Sequence, residues 1–316
     1  MMIQAAEGEK IRTGADAPDV VFSAAYGVGP DFVRTFLRTF RAVNRSARVI
    51  LLVWEKGPLR DIAREYDAEL DQDLWFCRHI PRVKVRYRQF SGATVRKRVR
   101  VTELLGRSTR LAPSLAPILP EALTRSLVSL AVARFFHIRD ILSREDFGQV
   151  LLSDSRDVFF QADPFETPVG LELAEESNRF GSEPLNDAWF ADGFGAEAFS
   201  AIEGRHVLCS GTILGSREAV LGHVRRMCDC VKRLRTWRHG GIDQALHNYV
   251  VSSFLGPGEY TVSAGDRGRI ATVNYQTELS IRQGCIVDPD GRPIPIIHQY
   301  DRIRPELRDS LRMLNS

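Results

Sequence analysis

Three short runs constrain the architecture: VVF at 20–22 within DVVFSAA (19–25), VILLVW at 49–54 within RVILLVW (48–54) and VLL at 150–152 are apolar at successive positions rather than alternating. A strand with one solvated face alternates, whereas a strand apolar at successive positions is buried on both faces. That burial requires helices on either side of a parallel sheet. Between the first two runs, Phe32, Val33, Phe36, Leu37, Phe40 and Val43 recur at helical spacing. Strand, helix, strand in that order predicts a parallel βαβ unit. Before the third run, Leu127, Leu130, Ala131, Phe135, Ile138 and Leu142 mark one face of another helix, which also carries Arg134 and a solvent-facing Arg139. The expected fold class is therefore α/β, with a mainly parallel central sheet flanked by helices.

With 316 residues, 44% hydrophobic and 26% charged, the chain can bury a sizeable core. We expect one catalytic domain over 19–305, a flexible N-terminus at 1–18, a C-terminal tail at 306–316 and a basic and apolar insertion at about 78–120. The five cysteines (Cys77, Cys209, Cys228, Cys230, Cys285) are odd in number and lack zinc-type spacing, which points to a reducing compartment. Residues 1–18 contain no apolar core of a signal peptide, and no uninterrupted apolar span is long enough to cross a bilayer. A cytoplasmic location is the expectation.

The chemistry is expected at VLLSDSRDVFFQADPF, residues 150–165. Asp154 and Asp157 fall at the carboxyl end of a buried strand, the edge where open α/β sheets bind ligands. Two carboxylates there can hold a hard divalent cation such as Mg2+ or Mn2+. The alternative is an Asp-capped turn beside an Arg156 ion pair. Further along, VLCSGTILGS (207–216) is a strand interrupted by Ser210-Gly211, and HGGIDQALHNYV (239–250) leads a Gly pair into Asp243-Gln244 at a helix start. IPIIHQY (294–300) delivers His298, which reads either as a ligand or as a packed, hydrogen-bonded histidine. After the first strand, YGVG at 26–29 is a lone turn fragment. It forms neither a full dinucleotide fingerprint nor a Walker A loop, which disfavours an NAD enzyme or a P-loop NTPase.

Together these segments resemble GT-A fold nucleotide-sugar-dependent glycosyltransferases, whose DxD-type motif the DSRD segment is similar to. Aligning DVFFQADPF with the family's ending places Asp157 on the second aspartate and Ser155 on the first, with Asp154 displaced by one position. The resemblance implies a hexosyltransferase dependent on Mn2+ or Mg2+, with Asp154, Asp157 and His298 on the metal. It also implies donor contacts from Ala24, Tyr26, Arg134, Asp154, Ser155, Arg156, Ser210, Gly211 and Thr212, and catalytic roles for Asp243, Gln244 and Asp192. A late His resembles retaining families, and UDP is the commonest donor nucleotide among them. The implied acceptor is a glycan or a lipid-linked saccharide. Two other readings remain open: a sugar-phosphate nucleotidyltransferase, against which YGVGPDF lacks a basic residue, and a non-catalytic membrane-associated subunit of the same fold.

Net charge is only +3, but it is unevenly distributed. From Arg78 to Arg110 the chain carries Arg82, Lys84, Arg86, Arg88, Arg96, Lys97, Arg98, Arg100 and Arg107 against the single acid Glu103, and LAPSLAPILP follows at 111–120. This pattern suits a peripheral contact with the anionic inner face of a membrane. It equally describes a solvated insertion, and ranks nucleic acid last because aromatic residues are sparse.

Overall fold

The computed structural model describes residues 17–53, 55–72, 82–88, 94–100, 118–237, 241–274 and 277–315. Most of the N-terminal segment, Trp54, Cys77, Arg78, Glu103, Arg107, Arg110, the 111–117 part of the apolar stretch and His239-Gly240 lie outside them.

The strands in chain order are β1 (Val20–Ala24), β2 (Arg48–Leu52), β3 (Glu69–Asp71), β4 (Arg82–Arg88), β5 (Thr94–Arg100), β6 (Gln149–Asp154), β7 (Val158–Phe160), β8 (Leu171–Arg179), β9 (His206–Ser216), β10 (Thr261–Ser263), β11 (Ile270–Thr272), β12 (Ile281–Arg282), β13 (Cys285–Ile286) and β14 (Ile296–His298). Seven of them form the central sheet in the order β10-β8-β9-β6-β1-β2-β3. Strands β3, β2, β1 and β6 run parallel, as the continuous apolar runs predict, and β9 is antiparallel to both of its neighbours.

Burial explains the runs directly. Val20 and Phe22 of β1 and Val150 and Leu152 of β6 face one apolar cluster, while Val21 and Leu151 between them face a second cluster on the other side of the sheet. Helix α1 (Pro30–Val43) covers that second side through Val33, Phe36, Leu37 and Phe40, and α2 (Arg60–Glu65) leads into β3.

The first side is covered by α3 (Glu121–Leu127), α4 (Leu130–Leu142), α5 (Pro184–Phe194), α6 (Ala196–Ser200), α7 (Arg217–Cys230) and α8 (Ile242–Phe254). The helical face read across 127–142 is in fact two helices. Ser129 interrupts it by accepting the Val132 N–H, a local cap that competes with helix continuation. Buried residues then surround α4 instead of lining one stripe, including Arg134 and His137. Arg139 is not solvent-facing, because it pairs with Glu121 of α3 at 2.6 Å and with Asp140 at 2.7 Å.

Helices α7 and α8 meet at His223 and His247, both fully buried, with Nε2 of the first 2.9 Å from Nδ1 of the second. Burial pushes His223 down to about 3 and His247 well below its ordinary value. Both are therefore neutral in the fold, while the unfolded chain takes up protons below about pH 6.5. Stability should be fully present above that pH and fall as pH drops toward 3, with about 2 kcal/mol lost through His223 alone by pH 5. Urea melts at pH 7 and pH 5 test this: His223→Leu/His247→Leu should lose less stability on acidification than the parent, and an equal loss would remove the pair from the acid response.

A second sheet, β11-β14-β7, sits at the end of the first. Its apolar underside gathers Phe159, Ile297, Tyr300, Ile303 and Leu311. The segment read as a tail is part of this layer. It forms α9 (Pro305–Arg308) and α10 (Arg312–Asn315), buries Leu311 completely, and receives hydrogen bonds from Arg38 of α1 at the Met313 and Leu314 carbonyls.

Candidate active site

Strands β1 and β6 end in register at Ala24 and Asp154, on the carboxyl edge of the parallel half of the sheet. Ser155 then turns the chain. It is 1% exposed, and its hydroxyl donates to the Ala24 carbonyl at 3.2 Å, so the segment leaving β6 is tied back over β1. That bond fixes the turn. Arg156 points outward and pairs with Asp301 at 3.1 Å, and Asp157 returns inward ahead of β7. Asp163, the last acid of the motif, is held by Asn44 and the Phe165 N–H.

His298 reaches the same point through the small sheet. It stands opposite Val158 in the β14–β7 pair, and the next residue, Gln299 in the left-handed region, donates its N–H to the Asp157 carbonyl at 2.7 Å. The imidazole Nε2 lies 3.6 Å from Asp157 Oδ1 and 3.9 Å from Asp154 Oδ2, while Nδ1 lies 3.5 Å from the Cys209 sulfur. Burial opposes a charge on His298, but Cys209 and Asp157 outweigh it and raise the imidazole well above the ordinary histidine range. Burial likewise works against the Asp157 carboxylate, and His298, Arg302 and Arg156 overcome it to hold the group below its ordinary value. The same position therefore accepts a proton on His298 or a cation between the three side chains, because a ligating histidine must be neutral.

The three residues fit such a cation. One ligand atom from each lies within 4.8 Å of the others. Donors on opposite sides of a Mg2+ ion are about 4.2 Å apart, so small side-chain rotations suffice. Two carboxylates and one imidazole suit Mn2+ or Mg2+.

Gly211 supplies the room. In β9 the register jumps from Leu173↔Ile213 to Ala174↔Cys209, leaving Ser210, Gly211 and Thr212 as a bulge, and β6 makes its last pair at Ser153↔Thr212. A Cβ on residue 211 would lie 2.7 Å from Asp154 Oδ2 and 2.7 Å from His298 Cε1.

Beyond the end of β6, α8 takes over the hydrogen bonds of β9. Gln244 accepts the Ser210 N–H at 2.8 Å and donates to Glu176 at 2.7 Å, while Asn248 accepts the Leu208 N–H and donates to its carbonyl. Gln244 is thus committed to positioning the bulge rather than extended toward a ligand. Asp243 presents its carboxylate beside Ser210, whose hydroxyl donates to it at 3.2 Å, and burial raises its pKa despite the nearby Arg134.

Arg134 joins the two halves. Its side chain is 9% exposed, donating to Asp154 Oδ1 at 2.5 Å, to the Ser210 carbonyl at 3.1 Å and to Asp243 Oδ2 at 3.2 Å. Read from the sequence as a phosphate contact, it is here an internal clasp between the aspartates. Asp154 consequently keeps one oxygen on Arg134 and turns the other toward His298.

The remaining expected residues are more scattered. Ala24 and Tyr26 are half-buried at the end of β1, Thr212 is fully buried within the bulge, and Asp192 is exposed on α5. Asp192 precedes Gly193, which packs toward Ile242 and Ala245 of α8. Sequence reasoning missed Glu176, Cys209 and Asn248. Cys209 is adjacent to Ser210-Gly211 and was legible as part of that strand, but nothing local marks Glu176. Leu208 and Asn248 also line a cavity of about 290 Å3 with Glu175, His206, Ser252 and Tyr260. Comparison with known protein families and with curated protein sequences finds no match to this chain.

Proposed function

We infer that this protein is a divalent-metal-dependent glycosyltransferase of GT-A type, moving a hexose from a nucleoside diphosphate sugar, UDP-linked by preference, to a glycan or lipid-linked acceptor. The observation that carries this reading is the convergence of Asp154, Asp157 and His298 from two sheets against a glycine that leaves them space. The mixed, mainly parallel sheet with helices on its faces is the architecture this resemblance implies.

Asp154, Asp157 and His298 would hold Mn2+ or Mg2+, which in such a site neutralises charge building on a departing diphosphate. The chain's own groups prepare the rest. Arg134 keeps Asp154 and Asp243 in fixed relation, and Ser210 orients the Asp243 carboxylate toward the same crevice. Arg156, exposed and paired with Asp301, is a cation we assign to a donor phosphate. The cavity beside Asn248 is lined by residues of the same β9 and α8 that carry Gly211 and Asp243, and is the place we assign to the acceptor. The late histidine favours retention of anomeric configuration, in which the leaving phosphate itself accepts the acceptor proton. Under inversion, Asp243 and Asp192 are the carboxylates to test as bases.

Incubation with UDP- and GDP-sugars should release nucleoside diphosphate in a Mn2+-dependent manner. Its complete absence across both panels sinks the transferase reading, and formation of pyrophosphate from a nucleoside triphosphate and a sugar 1-phosphate would replace it with nucleotidyl transfer.

A further inference from the structure

His298 brings one ring nitrogen to Asp154 and Asp157 and turns the other toward a sulfur. Nδ1 lies 3.5 Å from Cys209 Sγ, and the Gly211 N–H donates to the same sulfur at 3.4 Å. Both side chains are buried, and Cys209 pairs with Ala174 immediately before the bulge at 210–212.

An imidazole presents nearly the same shape after a half-turn about its Cβ–Cγ bond, so hydrogen bonds decide between the two orientations. The half-turn would set the Cδ2 carbon against the sulfur and exchange Nε2 with Cε1. Bulk does not choose, because the space left by Gly211 borders both ends of the ring. A Cβ there would lie 2.7 Å from Cε1 and 2.9 Å from Nε2.

The contact at Nδ1 also fixes the tautomer. A ligating Nε2 offers its lone pair to the cation, so the ring proton sits on Nδ1 and points at the sulfur. Histidines that ligate metals almost always donate this proton to a carboxylate, a carbonyl or water, and here the acceptor is a thiol. The thiol is itself anchored by the Gly211 N–H, next to Ser210, which is gripped by Gln244, Asp243 and Arg134. Through the sulfur, the orientation of the ring follows the bulge.

Packing is the competing account. Cys209 belongs to the apolar cluster that holds Ala174 and Leu214, and a buried thiol can serve as a small hydrophobe. Packing alone leaves unexplained why the sulfur meets two polar groups, one on each side of the site.

We propose that Cys209 is a positioning residue for the cation site: its sulfur accepts the Nδ1–H of His298 and thereby holds Nε2 toward Asp154 and Asp157. This rests on the reading of those three side chains as metal ligands.

Calorimetric titration of the full chain with Mn2+ tests it. Removing a hydrogen-bond partner of a ligating histidine costs about 10- to 100-fold in metal affinity, and Cys209→Ala should fall in that range. Cys209→Ser, smaller than cysteine but still an acceptor, should recover most of the loss, whereas a packing role predicts no recovery. In the Mg2+-loaded parent with 15N-labelled histidine, the ring signal that His298→Ala removes should be that of the Nδ1–H tautomer. If the parent and Cys209→Ala bind Mn2+ alike while Asp157→Ala does not bind, the metal site stands and the role of Cys209 is overturned. A serine variant as weak as the alanine variant overturns it as well. A parent that binds no Mn2+ removes the metal reading itself, and this proposal with it. Should Cys209→Ala fail to fold, the parent spectrum decides, and an Nε2–H tautomer with Mg2+ bound would overturn the proposal.

Discussion

Asp157→Ala should lose Mn2+ binding by at least about 100-fold, with metal-dependent turnover falling with it. Changes to residues that only support metal ligands already cost 10–100-fold, and this substitution removes a donor outright. The fold has reason to survive. What Asp157 gives the small sheet is its backbone carbonyl, which accepts from Gln299 at 2.7 Å and from Tyr300, and alanine retains it. The side chain, by contrast, faces His298 and contributes a carboxylate held below its ordinary pKa by that neighbour against the effect of burial. Calorimetric titration with Mn2+ separates the possibilities: wild-type affinity in a variant with an unchanged melting transition would exclude Asp157 from the ligand set and return the DSRD segment to a capped turn.

How far this site was legible in the sequence depends on the length of the elements that carry it. Strands β1, β2 and β6 declare themselves because each is buried on both faces, and position 154 follows from where the third run ends. The small sheet is different. β7, β11 and β14 are three residues each, too short for a period to show, and the pairing of β14 with β7 joins segments more than a hundred residues apart. His298 could therefore be suspected but not positioned.

The spacing of DSRD posed the opposite problem, because a strict alternation argument sends Asp154 and Asp157 to different sides. What brings them together is the Ser155 hydroxyl on Ala24, a side-chain bond between strands that no local pattern encodes. The bulge at 210–212 was visible only as an odd glycine. Its partners on α8 and β8, Gln244 with Glu176, depend on a register shift that the sequence does not reveal.

Arg134→Met should destabilise the protein by roughly 3–5 kcal/mol, the range for removing one partner of a buried ion pair. Methionine approximates the arginine stem, so the loss comes mainly from electrostatics rather than a cavity. Without the guanidinium, Asp243 remains 12% exposed with Ser210 as its donor, and Asp154 loses the contact at 2.5 Å. Burial already raises Asp243, with Asp154 adding to it and Arg134 opposing it, so deleting Arg134 raises it further and favours its protonated form. The sign of the coupling follows. A carboxamide at 243 carries no charge to strand, and Arg134→Met/Asp243→Asn should therefore be more stable than the sum of the single changes predicts, by about 1 kcal/mol or more. Urea denaturation of the four proteins measures this. Strict additivity would mean that Arg134 and Asp243 are neighbours without a functional clasp, and the link between the Asp154 edge of the sheet and α8 would have to be sought elsewhere.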